Sequence, residues 1–315
     1  MNIAIIGYGG VGKAFVALLE KQTELLEKEN LHINIRYIIG RNGDIYNNEI
    51  SVCDAAADPA LDLAVILTPT NKDSGQPGLN YARTFLSAGK HVVTADKGLV
   101  IHGYHELKQL AKEKGVQFTL GCTTGGALPS INGGIMDMAG SEICSIEGTL
   151  NGTSNYILQQ MEDCGCTYKE ALAAAQKDGI AEANPALDVE GWDTAGKLLI
   201  LCNVLMHTNK TLDDIEVQGI THLTPEDIKA ASEDGCKYKL VGRAVKQDKD
   251  IQLTVKAEKV PLQHLLYQVD GKNKAVRYVS DTLGELVIMG GASGTTPAAA
   301  SVLRDIVNIH RGYQF

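Results

Sequence analysis

Short apolar runs alternate with amphipathic stretches over residues 1–120 of this chain. Apolar runs of this length are typical of strands that are buried on both faces of a parallel sheet, whereas the stretches between them repeat with helical periodicity. The pattern predicts strands at 2–7, 33–39, 62–67, 90–95 and 116–120, and helices at 78–89 and 102–114. Such an alternation predicts an α/β domain built on a parallel sheet.

The pattern changes after about residue 130. A strand is predicted at 143–150, followed by a turn at 151–152 and by a helix that begins near residue 155. Thr153 or Ser154 is expected to cap that helix, because a hydroxyl accepts hydrogen bonds from the free N–H groups of the first turn.

The rest of the chain mixes helices and strands without a βαβ alternation, which predicts an α+β domain. The predicted elements are a helix at 167–177 that ends at Gly179, a helix with an apolar stripe at Trp192, Ala195, Leu199, Cys202 and Met206, strand regions at 236–258 and 284–289, and a last helix through Ile309. Pro297 is expected at the first position of that last helix, where the missing N–H has no cost.

A glycine-rich loop, Gly7-Tyr8-Gly9-Gly10-Val11-Gly12, lies between the first predicted strand and a helical stretch. In this context a GxGxxG spacing is typical of dinucleotide-binding folds. The first glycine allows a tight turn, the second lets the backbone approach a pyrophosphate, and the third permits close helix packing. We therefore predict that Gly7, Gly9, Val11 and Gly12 bind a dinucleotide whose phosphates face the helix N-terminus.

The end of the second predicted strand discriminates between NAD and NADP, since an acidic residue there binds the ribose 2′-hydroxyl. The chain instead reads Ile39-Gly40-Arg41-Asn42. Arg41 is a candidate ligand for a 2′-phosphate, with a solvated surface arginine as the alternative, so the sequence favours NADP, and NAD is the second choice. Thr68, Pro69 and Lys97 follow the next strands at the same sheet edge and are further candidate cofactor ligands.

Composition limits the classes of partner. The chain has 315 residues, 44% of them apolar, which is enough for two packed domains. A formal net charge of −9 argues against nucleic acid or an anionic membrane as a partner. The seven cysteines include no CxxC pair, so we expect a reducing, cytoplasmic location. Neither a signal peptide nor a membrane span is expected from the apolar runs.

Asp193 and Lys197 are four residues apart in a predicted helix, so they share one face, opposite the apolar stripe. From this spacing alone, an exposed surface salt bridge is the commoner explanation. Their surroundings favour catalysis instead, because Glu182 and an NGTSN turn lie upstream, and a dinucleotide domain needs a partner for substrate. An enzyme that reduces a carbonyl must protonate the developing alkoxide, which a lysine ammonium can do.

Other chemistries find less support in the sequence. The GxSxG elbow of α/β-hydrolases does not occur, and the eight histidines have neither HExxH nor another metal-ligand spacing, so no metal site is predicted from them. Cys122, in LGCTTGGALPS, is the cysteine that an acylating aldehyde dehydrogenase would use. The sequence places no histidine base for it.

Several segments together resemble homoserine dehydrogenases: IGYGGVG, LTPTN with GQPGL, AGKHVVTADKGL, GTLNGTSNYIL and GIAEANPALDVEGWDTAGKLLIL. The block at 148–201 is highly specific, whereas the glycine loop alone is not. The resemblance implies a Rossmann dinucleotide-binding domain over 1–130 and an α+β substrate-binding and dimerisation domain over 131–296, with the terminal helix 297–315 packed back on the first. It also implies reversible reduction of L-aspartate 4-semialdehyde to L-homoserine with NADPH or NADH, a step of threonine and methionine biosynthesis.

The resemblance also assigns roles to single residues. Lys197 would donate the proton to the carbonyl oxygen, with Asp193 beside it, and Lys97 would bridge cofactor and substrate and take part in proton transfer. The substrate-binding residues implied are Glu182, toward the substrate amino group, Asp193, Thr153 and Asp188. Gly179 and Gly294 would contact the cofactor.

The chain departs from the family pattern at three positions. Asp96 stands where the family often has the asparagine of TANK, and Asn184 where it has the aspartate of EADP; neither change removes a proposed catalytic group. Gly121 replaces a glutamate that contributes to a monovalent-cation site in many members. We therefore expect that site to lack its side-chain ligand, with only the backbone carbonyls of Thr124 and Leu128 left to hold a cation.

The working hypothesis is a homodimeric, NADP-preferring homoserine dehydrogenase of the cytoplasm. The regulatory domain that many members append does not follow the last helix, so no threonine feedback through such a domain is expected. Two alternatives stay open: a dehydrogenase of a related amino-aldehyde or hydroxy acid, and a non-catalytic NADP-binding sensor. The joint presence of Lys97, Glu182, Asp193 and Lys197 argues against the sensor, which has no need of an acid–base set.

Overall fold

The chain forms two compact units in the computed structural model, which describes residues 1–45, 49–248 and 250–315. Unit 1 comprises residues 1–132 and 293–315, and unit 2 comprises residues 133–292. Among the helices of the described ranges, none is both long and apolar enough to cross a bilayer.

Unit 1 is a six-stranded sheet flanked by helices. Its strands are β1 (Asn2–Ile6), β2 (Asn34–Gly40), β3 (Gly43–Asp44), β4 (Leu63–Ile66), β5 (His91–Thr94) and β6 (Phe118–Thr119). Its helices are α1 (Gly10–Lys21), α2 (Thr23–Lys28), α3 (Val52–Ala57), α4 (Gly78–Ser87) and α5 (Lys97–Lys114), and α6 (Ser130–Met136) begins within it.

Unit 2 has a second six-stranded sheet and most of the remaining helices. The strands are β7 (Ile143–Thr149), β8 (Ile215–Val217), β9 (Cys236–Gln247), β10 (Asp250–Pro261), β11 (Lys274–Ser280) and β12 (Glu285–Gly290). The helices are α7 (Gly152–Cys164), α8 (Tyr168–Lys177), α9 (Ala186–Val189), α10 (Trp192–Leu205) and α11 (Pro225–Glu233). The last helix of the chain, α12 (Thr295–His310), belongs to unit 1.

The strand order in unit 1 is β3-β2-β1-β4-β5-β6, and every pair is parallel except the short β2–β3 pair. The chain therefore leaves β1 toward one side and continues at β4 on the other, which creates a switch point at the carboxyl ends of these two strands. Ligands of open α/β sheets bind at this point. The Rossmann architecture that the sequence predicts is confirmed.

The C-terminal helix completes the core of unit 1. Ile3 and Ile5 of β1 are fully buried, and they belong to the same apolar cluster as Val302 and Ile306 of α12, which are fully buried too. Burial of side chains of this size stabilises the fold by about 1.5–3 kcal/mol each. Residues 293–315 are therefore part of the N-terminal fold, although they are its most distant segment in sequence.

The strand order in unit 2 is β12-β11-β7-β9-β10-β8, antiparallel except for the pair β10–β8. One face of this sheet packs on α10: a Cβ placed on Gly242 of β9 would lie 3.2 Å from Cγ2 of Thr194. On the opposite face, Glu147 of β7 is almost fully buried between Arg243 and Arg277, and it lies 3.0 Å from Nε2 of His264. The sheet thus has one helix-covered face and one charged face.

Two helices begin earlier than the sequence predicts, because side-chain caps supply the missing acceptors. Helix α7 begins at Gly152, since Oδ1 of Asn151 accepts a hydrogen bond from the backbone N–H of Ser154 at 2.9 Å. The prediction of a turn at 151–152 with Thr153 or Ser154 as the cap was wrong. Helix α5 begins at Lys97 instead of near residue 102, because Asp96 caps it.

The apolar stripe predicted for α10 was only partly right. Trp192 is 43% exposed, whereas Leu198 and Leu201, outside the stripe, are fully buried. The sheet strands β7, β9 and β10 pack on this helix, and all of its residues except Trp192, Asp193 and Lys197 are buried, so a one-sided stripe does not describe it. Pro297 is the third residue of α12, not the first. The helical stretch predicted after the glycine loop divides into α1 and α2, and the elements that the sequence did not predict are α3, α6, α9, α11, β3, β8 and β11.

Candidate functional site

The glycine loop of unit 1 has the geometry that a dinucleotide requires. Gly7 adopts φ +103°, and a Cβ there would lie 2.6 Å from the carbonyl oxygen of Leu67. A Cβ on Gly12 would lie 2.4 Å from the carbonyl oxygen of Gly7, so α1 approaches the turn as closely as its backbone allows. Gly9 caps α1 and faces open space, with nothing within 4 Å of an added Cβ. The loop therefore leaves room for a pyrophosphate at the helix N-terminus.

The N-terminus of α12 lies against this loop. A Cβ on Gly10 would be 3.0 Å from Cγ2 of Thr295, the first residue of α12. Gly294 precedes it with φ +120°, a conformation that side chains rarely adopt. Val11 is half-buried and packs on the core cluster of unit 1. The structure thus brings Gly7, Gly9, Val11, Gly12 and Gly294 together at one edge of the sheet.

A buried carboxylate orders the next part of this edge. Oδ2 of Asp96 accepts a hydrogen bond from the Thr68 hydroxyl at 2.7 Å, and its Oδ1 accepts one from the backbone N–H of Gly98 at 2.9 Å. Asp96 is 1% exposed, and burial raises the pKa of its carboxyl. Asp96 therefore fixes Thr68 and the first turn of α5, where the half-buried Lys97 lies. Pro69 is exposed on the same loop.

Arg41 is exposed on the turn between β2 and β3, where the second strand ends. The next carboxylate along the chain, Asp44, pairs across from Ile39 in the sheet. It is 2% exposed, and its Oδ2 accepts a hydrogen bond from the backbone N–H of Ile38 at 2.7 Å. Asp44 therefore stabilises the end of the second strand through the backbone of Ile38, and Arg41 is an exposed cation beside it.

In unit 2, Lys197 is held by two acceptors from different elements. Its Nζ lies 2.5 Å from Oδ2 of Asp193, one helical turn earlier in α10, and donates a hydrogen bond to the backbone carbonyl of Leu150 at 2.8 Å. The side chains of Lys197 and Asp193 are only 14% and 11% exposed. The pair is therefore not the exposed surface salt bridge that the spacing alone would suggest.

Asn151 extends this cluster, and the sequence did not single it out. It lies between the end of β7 and α7, and its Nδ2 donates hydrogen bonds to Oδ1 of Asp188 at 2.6 Å and to Oδ2 of Asp193 at 2.8 Å. The NGTSN segment contains the information that could have identified Asn151. An asparagine at a helix N-cap uses its oxygen for the cap and keeps an N–H donor for another group. One amide thus joins Asp188 to Asp193, and Asp193 in turn binds Lys197.

Gly179 and Glu182 lie in the α8–α9 connection, and Thr153 of α7 contacts this connection. The Thr153 hydroxyl donates a hydrogen bond to the carbonyl oxygen of Ile180 at 3.3 Å, which ties the first turn of α7 to this connection. Gly179 adopts φ +67° after α8, and Glu182 is exposed on the turn that follows.

The residue set at Gly121 does not fit a glutamate-based cation site. A Cβ there would lie 2.3 Å from Oδ1 of Asn132 and 2.7 Å from Oδ1 of Asp305, so the backbone leaves no room for a side chain. Asp305 of α12 is fully buried, and it accepts hydrogen bonds from the Gly121 N–H at 2.9 Å and from the Asn132 amide at 3.0 Å. Burial raises the pKa of its carboxyl. The Leu128 carbonyl already accepts a hydrogen bond from Ser130.

The described residues contain no group of three or more His, Cys, Asp or Glu side chains arranged for a metal ion. Cys122 is 7% exposed, and its Sγ lies 3.5 Å from the carbonyl oxygen of Ala298. A thiol buried in this way is a poor nucleophile, because a buried thiolate is disfavoured.

Known proteins match the chain in sequence and in structure. A family model described as homoserine dehydrogenase matches residues 129–307. The homoserine dehydrogenase of Methanocaldococcus jannaschii is 35% identical, with 98% of both chains covered. The chain belongs to the homoserine dehydrogenase family. An NAD(+)-dependent homoserine dehydrogenase of Pseudomonas canavaninivorans is 33% identical over 98% of this chain and 96% of its own.

The fold agrees with this family. The crystal structure of a homoserine dehydrogenase from Thiobacillus denitrificans superposes with a TM-score of 0.89 at 30% identity, covering 99% of this chain and 73% of that one. The chain is accordingly an NAD(P)-dependent oxidoreductase that acts on a CH–OH group, and the predicted enzyme class and family are confirmed.

The variant Gly121→Ala is expected to lower the free energy of unfolding by about 1–3 kcal/mol, because the added methyl group collides with a fully buried carboxylate. The measurement is urea denaturation. Gly40→Ala is the matched control, since an added Cβ there has its nearest neighbour 3.9 Å away. A Gly121→Ala variant as stable as the Gly40→Ala variant would show that the pocket around Asp305 has room for a side chain.

Proposed function

We propose that this chain catalyses the reversible reduction of L-aspartate 4-semialdehyde to L-homoserine. Unit 1 binds the nicotinamide dinucleotide, which supplies the hydride when bound, and unit 2 binds the substrate and supplies the proton. The observation that carries the proposal is the mostly buried Lys197, whose ammonium is bound by Asp193 and by the carbonyl of Leu150. An acid in this position is what the reduction of a carbonyl needs.

Lys197 transfers the proton in this proposal. An ammonium has three N–H groups, and the contacts with Asp193 and Leu150 engage two of them. The third donates to the substrate carbonyl oxygen and protonates it as the alkoxide develops. In the oxidation of homoserine the neutral amine takes the proton back. Lys97, at the first turn of α5, is the second lysine and bridges cofactor and substrate.

Carboxylates recognise the substrate amino group. A cationic amine is attracted by Asp188 and Asp193, which the Asn151 amide holds together, and by Glu182 on the exposed α8–α9 connection. Thr153, which fixes that connection through Ile180, completes the substrate-binding set. An acidic set of this kind favours an amino-aldehyde over an aldehyde without the amine.

The cofactor contacts proposed here lie on loops at helix starts and strand ends. They are the glycine loop with Gly7, Gly9, Val11 and Gly12, together with Arg41, Thr68, Pro69, Lys97, Gly179 and Gly294. We propose NADP as the preferred cofactor, because Arg41 is a cation at the strand end and Asp44 is buried against Ile38. NAD is the alternative cofactor, and the relative from Pseudomonas canavaninivorans is named as NAD(+)-dependent.

We propose that the partner is a second copy of this chain, bound through the charged face of the unit 2 sheet. Side chains alternate between the faces of a strand, so Val245 and Val279 point away from α10. Both pair with Ser145 and therefore lie in one row across three strands, and both are partly exposed. Met289 on β12 is 51% exposed. A row of partly exposed apolar side chains on a sheet marks an interaction surface.

We propose the cytoplasm as the location. Cys53 and Cys164 are exposed free thiols, and such thiols stay reduced where glutathione and thioredoxin act.

Oxidation of L-homoserine with NADP is the direct assay, read as the absorbance of the reduced nicotinamide, with 4-hydroxybutanoate as the substrate analogue that lacks the amine. We expect a rate with homoserine and a much lower rate with the analogue. Equal rates would favour a hydroxy-acid dehydrogenase. Cofactor binding without turnover of either would favour the sensor.

The variant Lys197→Ala tests the acid in the same assay. We expect kcat to fall by about 10²–10⁴-fold, the usual contribution of a positioned acid or base, with the dissociation constant of the cofactor nearly unchanged. Lys229→Ala is the matched control, because Lys229 also has an i,i+4 partner, Glu233, but is 79% exposed. Unchanged turnover in Lys197→Ala would remove Lys197 from the mechanism.

The variant Arg41→Ala tests the cofactor choice. A hydrogen bond to a charged group contributes about 1.5–3 kcal/mol, so we expect KM for NADP to rise about tenfold or more while KM for NAD stays the same. Arg83→Ala, which breaks a surface ion pair with Glu106 in the same unit, is the control. A similar rise for both cofactors would contradict a contact with the 2′-phosphate.

The variant Val279→Glu tests the dimer surface, because a buried unpaired carboxylate at an interface opposes association. We expect light scattering to show a dimer for the unaltered chain and a monomer for the variant. Leu25→Glu is the control, since Leu25 of α2 is 53% exposed in unit 1. A dimer that survives in Val279→Glu would place the interface on another surface.

A further inference from the structure

Asn151 uses its whole side-chain amide at the junction of β7 and α7. Its Oδ1 accepts hydrogen bonds from the N–H of Ser154 at 2.9 Å and from the Ser154 hydroxyl at 3.1 Å. Its Nδ2 donates to Asp188 at 2.6 Å and to Asp193 at 2.8 Å. The side chain is 5% exposed. Both N–H groups of the amide therefore point to carboxylates, and the oxygen points to the helix.

This arrangement solves an electrostatic problem. Oδ1 of Asp188 and Oδ2 of Asp193 both accept a hydrogen bond from Nδ2 of Asn151. The two carboxylates are therefore held close together, although their charges repel each other. The Lys197 ammonium binds Asp193 as well and balances its charge. A neutral amide with two N–H groups is the donor that stabilises both carboxylates at once without adding a second cation.

We infer that Asn151 is a positioning residue of the proposed reaction: its amide bridges the carboxylates of Asp188 and Asp193 and so fixes Asp193 against the ammonium of Lys197. The inference rests on the proposed function, in which Lys197 transfers the proton. Asp193 has one oxygen, Oδ2, that meets both the Asn151 amide and Lys197. A shift of that oxygen therefore moves the ammonium as well.

Helix capping alone does not require the amide. Other caps of this chain are Ser51, Thr167 and Thr224, each of which accepts from a backbone N–H through a hydroxyl oxygen. Aspartate caps helices about as well as asparagine. A residue that only caps α7 would therefore tolerate aspartate, whereas a residue that donates to two carboxylates would not.

The variant Asn151→Asp separates the two roles, because it keeps the capping oxygen, removes the N–H donors and adds a negative charge. The charged side chains in contact at this point are Asp188, Asp193 and Lys197. We expect kcat for homoserine oxidation to fall about tenfold or more. The rising limb of the pH–rate profile is expected to move to higher pH, since an added negative charge favours the protonated form of a neighbouring amine. The cofactor dissociation constant is expected to stay the same.

Asn273→Asp is the matched control, because it makes the same change at an exposed position of unit 2. We expect its kcat and pH–rate profile to match those of the unaltered chain. An unshifted limb in Asn151→Asp, with or without a lower kcat, would overturn the positioning role. If Asn151→Asp does not fold, Asn151→Ser replaces it, since serine caps the helix but has no amide to bridge the carboxylates. A kcat in Asn151→Ser equal to that of the unaltered chain would likewise overturn the role.

An activity-independent readout keeps this inference distinct from the proposed function. Urea unfolding of Asn151→Ser, Asp193→Asn and the double variant gives their coupling. Non-additive shifts of the unfolding midpoint support the bridge, whether or not homoserine is turned over. A lack of turnover would count against the proposed function only. Additive shifts overturn the bridge, whatever the activity.

Discussion

The position of the Lys197 ammonium depends on one constraint: a mostly buried charge is stable only when acceptors surround it. Two elements supply those acceptors, α10 through Asp193 and the end of β7 through the Leu150 carbonyl. The helix must therefore lie close to the sheet. Gly242 in the neighbouring strand permits this, because even a methyl group there would press on Thr194 of α10. A glycine in a strand thus determines where the acid lies.

The two units build their candidate sites from different parts of the chain. In unit 1 the decisive contacts are between backbone atoms, as where Gly12 packs on the carbonyl of Gly7. A glycine pattern is then enough to specify the geometry. In unit 2 the decisive contacts are between side chains that converge from a strand end and two helices, as at Asn151, Asp188 and Lys197. Such a cluster exists only once the sheet and helices have packed.

The environment of Gly121 is set by a carboxylate from a distant segment of the chain. The carboxylate of Asp305 lies against the backbone of Gly121, 184 residues away in sequence. Asn132 binds the same carboxylate. The buried acid thus joins α12 to the segment before α6, so the residue pair, and not the glycine alone, defines this part of unit 1.

Local patterns determined much of this protein. The apolar alternation gave the parallel strands of unit 1 nearly at their observed bounds, because a strand buried on both faces is a continuous apolar run. The GxGxxG spacing located the loop at Gly7, because its glycines follow one another within six residues. The family followed from the block at 148–201. The predictions failed where an element is short or where one segment is compatible with two structures. β8 has three residues, and the NGTSN segment is as compatible with a turn as with the start of a helix.

Tertiary structure alone decided the rest. A sequence shows that Asp193 and Lys197 share a helix face, but only packing determines that they are 11% and 14% exposed, since burial depends on what covers the helix. The bridging role of the Asn151 amide is also tertiary, because Asp188 and Asp193 are 37 and 42 residues away from it along the chain. Hydrogen bonds between distant segments produce no periodic pattern in a sequence. Such hydrogen bonds bring Asp188, Asp193 and Lys197 together.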